Sequence, residues 1–426
     1  MDDLEQLADA GEKSKLPAGL VDTGFASLAT FVASLVAVNI LEDAELGIYA
    51  VYFVAFTLGA IIAYQLVYVP AEIVAVARPL HQRITIIEDS LRIGRLPAVG
   101  GALIILGATL TTAPIASAEL ATGLTITALI VTYLSPTQDH LRRTLHIVHQ
   151  PWDAALMSIA QFVSTAVSLG VMVWLDVSVS WVPFGALAIA NVVSMTVGHL
   201  LIHHRRVVAK APGQVTFRDL FLSGRWLVLQ AIIPALGAFI TATVITYLAS
   251  PEAMGYAEGA RIVAQPILVM ATGLSTALRP RAMEAAMARD TKVSLHVQKL
   301  FVGLVVVGTA LYLPLVAVPW AGNPMKFFVP PAYEVSGLAA AAIVANLIMA
   351  VVLVMVNEMF AAGRAKAVAI IEGIAVPLGV ATAVSAAAIG AFAWPLARTV
   401  GGLGALLGLG YIYRIHYGIA YKSDRP

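Results

Sequence analysis

The sequence predicts an all-α integral membrane protein with about twelve transmembrane helices in two six-helix halves. Hydropathy, the placement of basic residues and an internal repeat each point to it. Hydrophobic residues fill 59% of the 426 positions and charged residues only 12%, with a mean hydropathy of +0.86. A soluble domain carries roughly 25% charged residues, so most of this chain's surface must face hydrocarbon rather than water. The formal net charge of +1 gives no electrostatic reason to expect a nucleic-acid or acidic partner. Cysteine is absent, which excludes disulfides, thiol nucleophiles and Cys-ligated metals.

An apolar stretch of about 20 residues crosses a bilayer as a helix. Such stretches occur at 20–41, 48–70, 97–117, 120–138, 154–175, 182–202, 226–249, 255–278, 300–319, 336–358, 367–389 and 394–413. The fourth is short and runs into Asp139, Arg142 and Arg143. The polar stretch 1–19 lacks an apolar signal region, so it reads as a cytoplasmic tail and the first span directs insertion.

The loops test this count. With both termini inside, twenty-three of the 26 Lys and Arg residues fall in inner segments, and only Lys326 falls in an outer loop. The remaining two, Arg261 and Arg398, lie within spans. Positive residues accumulate on the cytoplasmic side of short loops, and one miscounted helix would invert every later loop. The termini are therefore expected in the cytoplasm.

The predicted organisation is a first lobe over 20–202, a cytoplasmic linker over 203–225, a second lobe over 226–413 and a cytoplasmic tail over 414–426. Segments 81–95 and 215–224 have the pattern of interfacial helices: Ile84, Ile87 and Leu91 share one face, as do Phe217, Leu220 and Phe221. The halves also resemble each other. Leu46-Gly47-Ile48-Tyr49 is matched by Met254-Gly255-Tyr256-Ala257, and the spans they open close at Pro70 and Pro280. The fourth span ends in Gln138-Asp139 and the tenth in Asn357-Glu358, a self-similarity that fits a duplicated transporter.

Enzyme signatures are thin. No HExxH, P-loop or GxSxG motif occurs. His146 and His149 with Asp153 have a spacing open to metal ligation, but their charged surroundings read as a solvated loop. Gly404 and Gly408 are in GxxxG register, which suits close helix packing. No enzyme activity, cofactor or metal is expected.

Ionisable groups within spans are costly, at roughly 3 kcal/mol or more, and therefore informative. Arg261 is the leading candidate for an anion-binding cation in a water-filled cavity; Glu258, three residues earlier, is placed to neutralise it. Asp22 stands near the start of the first span, as a coupling carboxylate or as an acid at a helix N-terminus. Arg398, at the outer end of the last span, either snorkels or reaches the cavity. Gln65 and Gln265 are polar residues placed to line a cavity or bond a neighbouring helix. Glu72, Asp139, Glu358 and Glu372 read as interfacial, and Pro234, Pro266 and Pro377 as kink sites.

Four patches carry a family resemblance. Glu45-Leu46-Gly47-Ile48-Tyr49-Ala50 resembles the turn after the first span of Wzx-type polysaccharide flippases, members of the MOP superfamily that includes the MATE exporters. Phe217-Arg218-Asp219-Leu220 running into Trp226-Leu227-Val228 is similar to their lead-in to the seventh span. The eighth span, Gly255-Tyr256-Ala257-Glu258-Gly259-Ala260-Arg261-Ile262-Val263-Ala264-Gln265-Pro266 with Arg279-Pro280-Arg281, resembles "GxYxxAxRlxqlP…llPrl". Phe327 to Tyr333 is similar to the "fGpxy" before the tenth span.

The resemblance implies a MOP-type fold, two six-helix lobes around a central cavity that opens alternately to each side of a bacterial plasma membrane. It implies flipping of a polyprenyl-pyrophosphate-linked oligosaccharide to the outer leaflet, with Arg261 meeting the pyrophosphate. Implied partners are that glycan lipid, membrane lipids, and a glycan polymerase or glycosyltransferases, with the transporter working as a monomer and binding no nucleic acid. Relatives that flip lipid II have further cations in the first lobe and two more spans; Asp22 stands here instead, which argues against lipid II as cargo. The alternative is a MATE-like cation-coupled exporter of small molecules, with Asp22 as the proton or sodium site.

Overall fold

The computed structural model describes residues 2–204, 215–318, 320, 322–323 and 325–418. Residues 205–214 of the expected linker over 203–225 thus fall outside the described residues, as does the tail beyond 418. Among the described residues the structure is helical, with no strand. In hydrocarbon this is the natural outcome, because a helix satisfies its own backbone N–H and C=O groups.

The chain divides into two compact units, Met1–Ile232 and Ile233–Pro426. The first holds α1 (Asp2–Ile40), α2 (Asp43–Ala63), a π-helical turn Tyr64–Tyr68, α3 (Val69–Val76), α4 (Leu80–Ile93), α5 (Arg95–Ala102), α6 (Ile104–Thr112), α7 (Ala118–Ile147), α8 (Pro151–Trp174) and α9 (Val182–His204). The boundary between units lies inside α10 (Phe217–Leu248). The second unit continues with α11 (Pro251–Ala288), α12 (Thr291–Ala317), the short α13 (Met325–Phe328), α14 (Leu338–Ala361), α15 (Ala365–Ser385) and α16 (Ala393–Tyr417).

Among the described residues, eleven helices are long and apolar enough to cross a membrane. The expected eighth span is present within α11 but is not one of the eleven. The expected third span is split into α5 and α6, with Leu103 between them.

Residues 2–19, expected as a cytoplasmic tail, are helical and open α1. Two expectations are corrected. The segment 215–224 is not a separate interfacial helix beyond its first residues; it opens the 32-residue α10. Thr216 and Asp219 start it as a reciprocal cap: the Thr216 hydroxyl accepts from the Asp219 amide at 3.3 Å, and the Asp219 carboxylate accepts from the Thr216 amide at 3.2 Å. The fourth span does not end at its charges; α7 carries Asp139, Arg142 and Arg143 through to Ile147. The helix expected over 81–95 is observed as α4.

The two units repeat one packing scheme. Counting six spans in each, the second packs on the fourth (α2 on α7, α11 on α14), the fourth on the sixth (α7 on α9, α14 on α16) and the fifth on the sixth (α8 on α9, α15 on α16). The first also packs on the fifth: α1 on α8, and α10 on α15, where Gly237 leaves room for Val376. Close approach depends on small residues. Gly59 of α2 and Gly101 of α5 touch backbone to backbone, and no side chain fits at either. A Cβ on Gly379 would lie 3.0 Å from the Ala397 carbonyl oxygen, and one on Gly408 would strike Ile371, so the glycine register of α16 seats it on α15. Threonines within the spans satisfy their hydroxyls locally, as Thr127 does on the Gly123 carbonyl at 2.7 Å and Thr309 on that of Val305 at 2.8 Å.

Candidate functional site

Asp22 lies in the body of α1, about five turns from the helix start, which rules out the N-terminus role allowed by the sequence. It is 2% exposed. A buried carboxylate persists only with donors around it, and three helices meet here to supply them. Arg142 Nη1 of α7 donates to Oδ2 at 2.7 Å, and His146 Nε2 lies 2.8 Å from the same oxygen. Ser158 of α8 donates its hydroxyl to Oδ1 at 2.5 Å. Arg142 and His146 are four residues apart on one continuous helix, so they share a face. Arg142 also donates to Asp139 at 2.8 Å, and Arg143 lies 4.9 Å from the centre of the Tyr64 ring.

The reading of His146 as part of a solvated loop is therefore wrong. It ends α7 and binds the acid at the centre of the cluster. His149 instead lies beside Arg83, with Nε2 3.4 Å from Nη1. Among the described residues no three His, Asp or Glu side chains gather to hold a metal ion.

A second polar group in this unit surrounds His140, which is fully buried. Its Nδ1 lies 2.9 Å from the Glu72 carboxylate and its Nε2 2.8 Å from the Ser90 hydroxyl. The ring stacks on Tyr68 at 4.3 Å between centroids and 10° between planes. Sequence reading missed this arrangement, because Glu72, Ser90 and His140 become neighbours only when α3, α4 and α7 pack. Gln138 of the Gln138-Asp139 pair donates to Gln161 at 3.2 Å and Ser194 at 3.1 Å, joining α7 to α8 and α9. Gln65 sits half-buried in the π-helical turn, where its backbone carbonyl lies close to Gly224.

In the second unit, Arg261 and Glu258 form a two-pronged pair on one face of α11. Nε donates to Oε2 at 2.7 Å and Nη2 to Oε1 at 2.6 Å. The third nitrogen, Nη1, donates to the Gln265 amide oxygen at 3.2 Å. Arg398 differs. Its guanidinium lies 5.0 Å from the centre of the Trp394 ring, and its buried Nε has no hydrogen-bond partner. Arg398 is within electrostatic reach of Arg261.

Glu358 was expected at an interface and is instead fully buried. Its Oε1 accepts from the hydroxyls of Ser294 and Tyr417, and its Oε2 from the Gln298 amide at 2.6 Å. Ser294 is also bonded to Tyr413 at 2.7 Å. This acid of α14 thus receives only neutral donors, from α12 and α16. The spacing of Tyr413 and Tyr417, one helical turn apart, is the sequence signal that could have pointed to it. Glu372 is likewise buried rather than interfacial.

No family model and no curated protein matches the chain. Solved structures do. An inward-facing multidrug resistance MATE family transporter of the MOP superfamily aligns over 96% of this chain and 100% of its own, with a TM-score of 0.70 at 12% identity. The fold is that of the MATE transporters. A MATE structure in a bent conformation aligns over 96% of this chain and 95% of its own, with a TM-score of 0.65 at 13% identity. A MOP superfamily transporter from Pyrococcus furiosus, described as having a binding pocket of reverse polarity that suggests a different function, aligns over 95% of this chain and 94% of its own, at TM-score 0.67 and 15% identity. The MATE fold and the apolar helices together make this chain a multi-pass membrane protein.

Proposed function

We propose that this protein is a cation-coupled exporter of small molecules, with Asp22 as the coupling carboxylate. One observation carries the reading: a single buried acid ties α1, α7 and α8 together through Arg142, His146 and Ser158. A proton or sodium ion on Asp22 cancels the charge that holds Arg142 and His146, and so biases the packing of three helices at once. A ligand shifts a conformational equilibrium only by its differential affinity for the two states, and a carboxylate bridging three helices supplies that difference. Each unit of pH gradient makes about 1.4 kcal/mol available per proton. The MATE fold supports the same reading. The bias of its loop charges supports an orientation with both termini inside, and the family resemblance supports a bacterial plasma membrane.

A second reading keeps the polyprenyl-pyrophosphate-linked oligosaccharide as cargo, flipped from the inner to the outer leaflet. Arg398 favours it, as a guanidinium with an unpartnered Nε near Arg261. Phosphate recognition uses such forked donors. Against it, Arg261 already spends two of its nitrogens on Glu258. This reading would bring the glycan lipid and its polymerase or glycosyltransferases as partners, again with a monomeric transporter.

Gene loss separates the two. Raised accumulation of a cationic dye, with surface glycan unchanged, is expected for the exporter. Lipid-linked oligosaccharide trapped on the inner leaflet, with unchanged dye handling, would overturn it in favour of the flippase.

A further inference from the structure

The first unit contains a cleft of about 630 Å³ between α4, α7 and α9 that the coupling site does not use. Its volume falls within the roughly 300–1,000 Å³ typical of small-molecule sites. The body of the cleft is apolar, walled by Ile87 and Leu91 of α4, Leu134 of α7, and Met195 and Leu200 of α9. Two arginines also line it, Arg92 near the end of α4 and Arg95 at the start of α5. Both are exposed. Neither makes a hydrogen bond or ion pair among the described residues, and Glu88 is the single acid among the wall residues. The α9 side is open: Val192 is 51% and Leu200 61% exposed, so an apolar chain enters there without displacing packed side chains.

We propose that this cleft binds a membrane phospholipid with an anionic headgroup. Three features select that occupant. The wall is amphipathic as a lipid is, joining two cations to a mostly apolar surface in which Glu88, Thr137, Thr144, Thr196 and His199 are the other polar members. The helix α4 alternates its faces as an interfacial helix does, with Ile86 and Ile87 buried inward and the Arg92 side chain exposed, which sets the arginines at headgroup depth. An anionic headgroup is attracted by each cation near the membrane surface, and the two arginines outnumber the one acid. A lipid seated here spans α4, α7 and α9. Anionic lipid content would then tune the stability of the unit whose α7 carries Arg142 and His146. The site stands apart from the proposed cargo, and its test does not depend on transport.

The experiment uses the purified, delipidated full chain and native mass spectrometry with added lipid. Dioleoyl phosphatidylglycerol is expected to be retained in preference to dioleoyl phosphatidylcholine. The double variant Arg92→Gln with Arg95→Gln should bind phosphatidylglycerol about thirtyfold more weakly, the effect of two surface cations, with phosphatidylcholine unchanged. Thr196→Trp, which places bulk at the exposed mouth, should weaken both lipids while thermal stability stays at the wild-type value. Equal retention of the two lipids by the wild type would overturn the proposal, as would phosphatidylglycerol binding unaffected by either variant. Displacement of phosphatidylglycerol by an equal concentration of glycerol 3-phosphate would reassign the cleft to a soluble anion and also overturn it.

Discussion

Arg142 donates to Asp22 at 2.7 Å across 120 positions of sequence, and this one bond fastens the first transmembrane helix to the fourth. Asp22 is buried and Arg142 nearly so. Removing one partner of such a pair strands the other, which costs about 3–5 kcal/mol. Asp22→Ala should lower stability by that order in detergent unfolding. Adding Arg142→Ala should recover only part of the loss, because His146 and Ser158 still lose their acceptor. Additive losses in the double variant would show that the bond carries no coupling.

The pair between Arg261 and Glu258 answers a separate question. Either single alanine leaves a charge unmatched within the span, and should destabilise the second unit. Glu258→Gln with Arg261→Gln should return stability close to wild type. Export retained by that double variant assigns the pair to structure; export lost from a stable double variant assigns Arg261 to cargo.

Glu358 anchors the end of α14 to α12 and α16 through Ser294, Gln298 and Tyr417. Glu358→Ala leaves three donors facing an apolar gap, at a cost of about 1–3 kcal/mol for each donor left buried without a partner. Glu358→Gln, which keeps acceptor capacity at one oxygen, should lose less. The check is thermal unfolding of both variants, with equal losses contradicting the network.

Much of the fold was legible in the sequence because bilayer thickness and loop charge act on composition alone. Every expected span overlaps a helix, and the small-residue register of α16 read correctly as a packing surface. Charges near span ends were read less well. Asp139, Arg142 and His146 looked like the start of a loop, because no local signal says that partners on other helices neutralise them. Asp22 was singled out for its position, but its ligands lie 120, 124 and 136 residues away. Glu258 and Arg261, three residues apart, were legible as a pair because a helix alone brings them together.

The helix α11 tests the topology of the second unit. If it is the eighth crossing, reporters fused after Pro251 and after Lys292 should report opposite sides. Reporters on the same side would remove the eighth crossing and invert every later loop.

The central claim is that Asp22 couples a cation gradient to export, and proteoliposome transport with Asp22→Asn tests it most directly. Asparagine keeps the shape and two hydrogen-bonding groups but cannot carry the charge. With a pH or sodium gradient imposed, the wild type should concentrate a cationic dye, by about tenfold per pH unit for each proton exchanged. Asp22→Asn should remain folded and still equilibrate dye across the membrane, but show no gradient-driven accumulation. Accumulation at the wild-type level by a folded Asp22→Asn protein, under either gradient, would contradict the account.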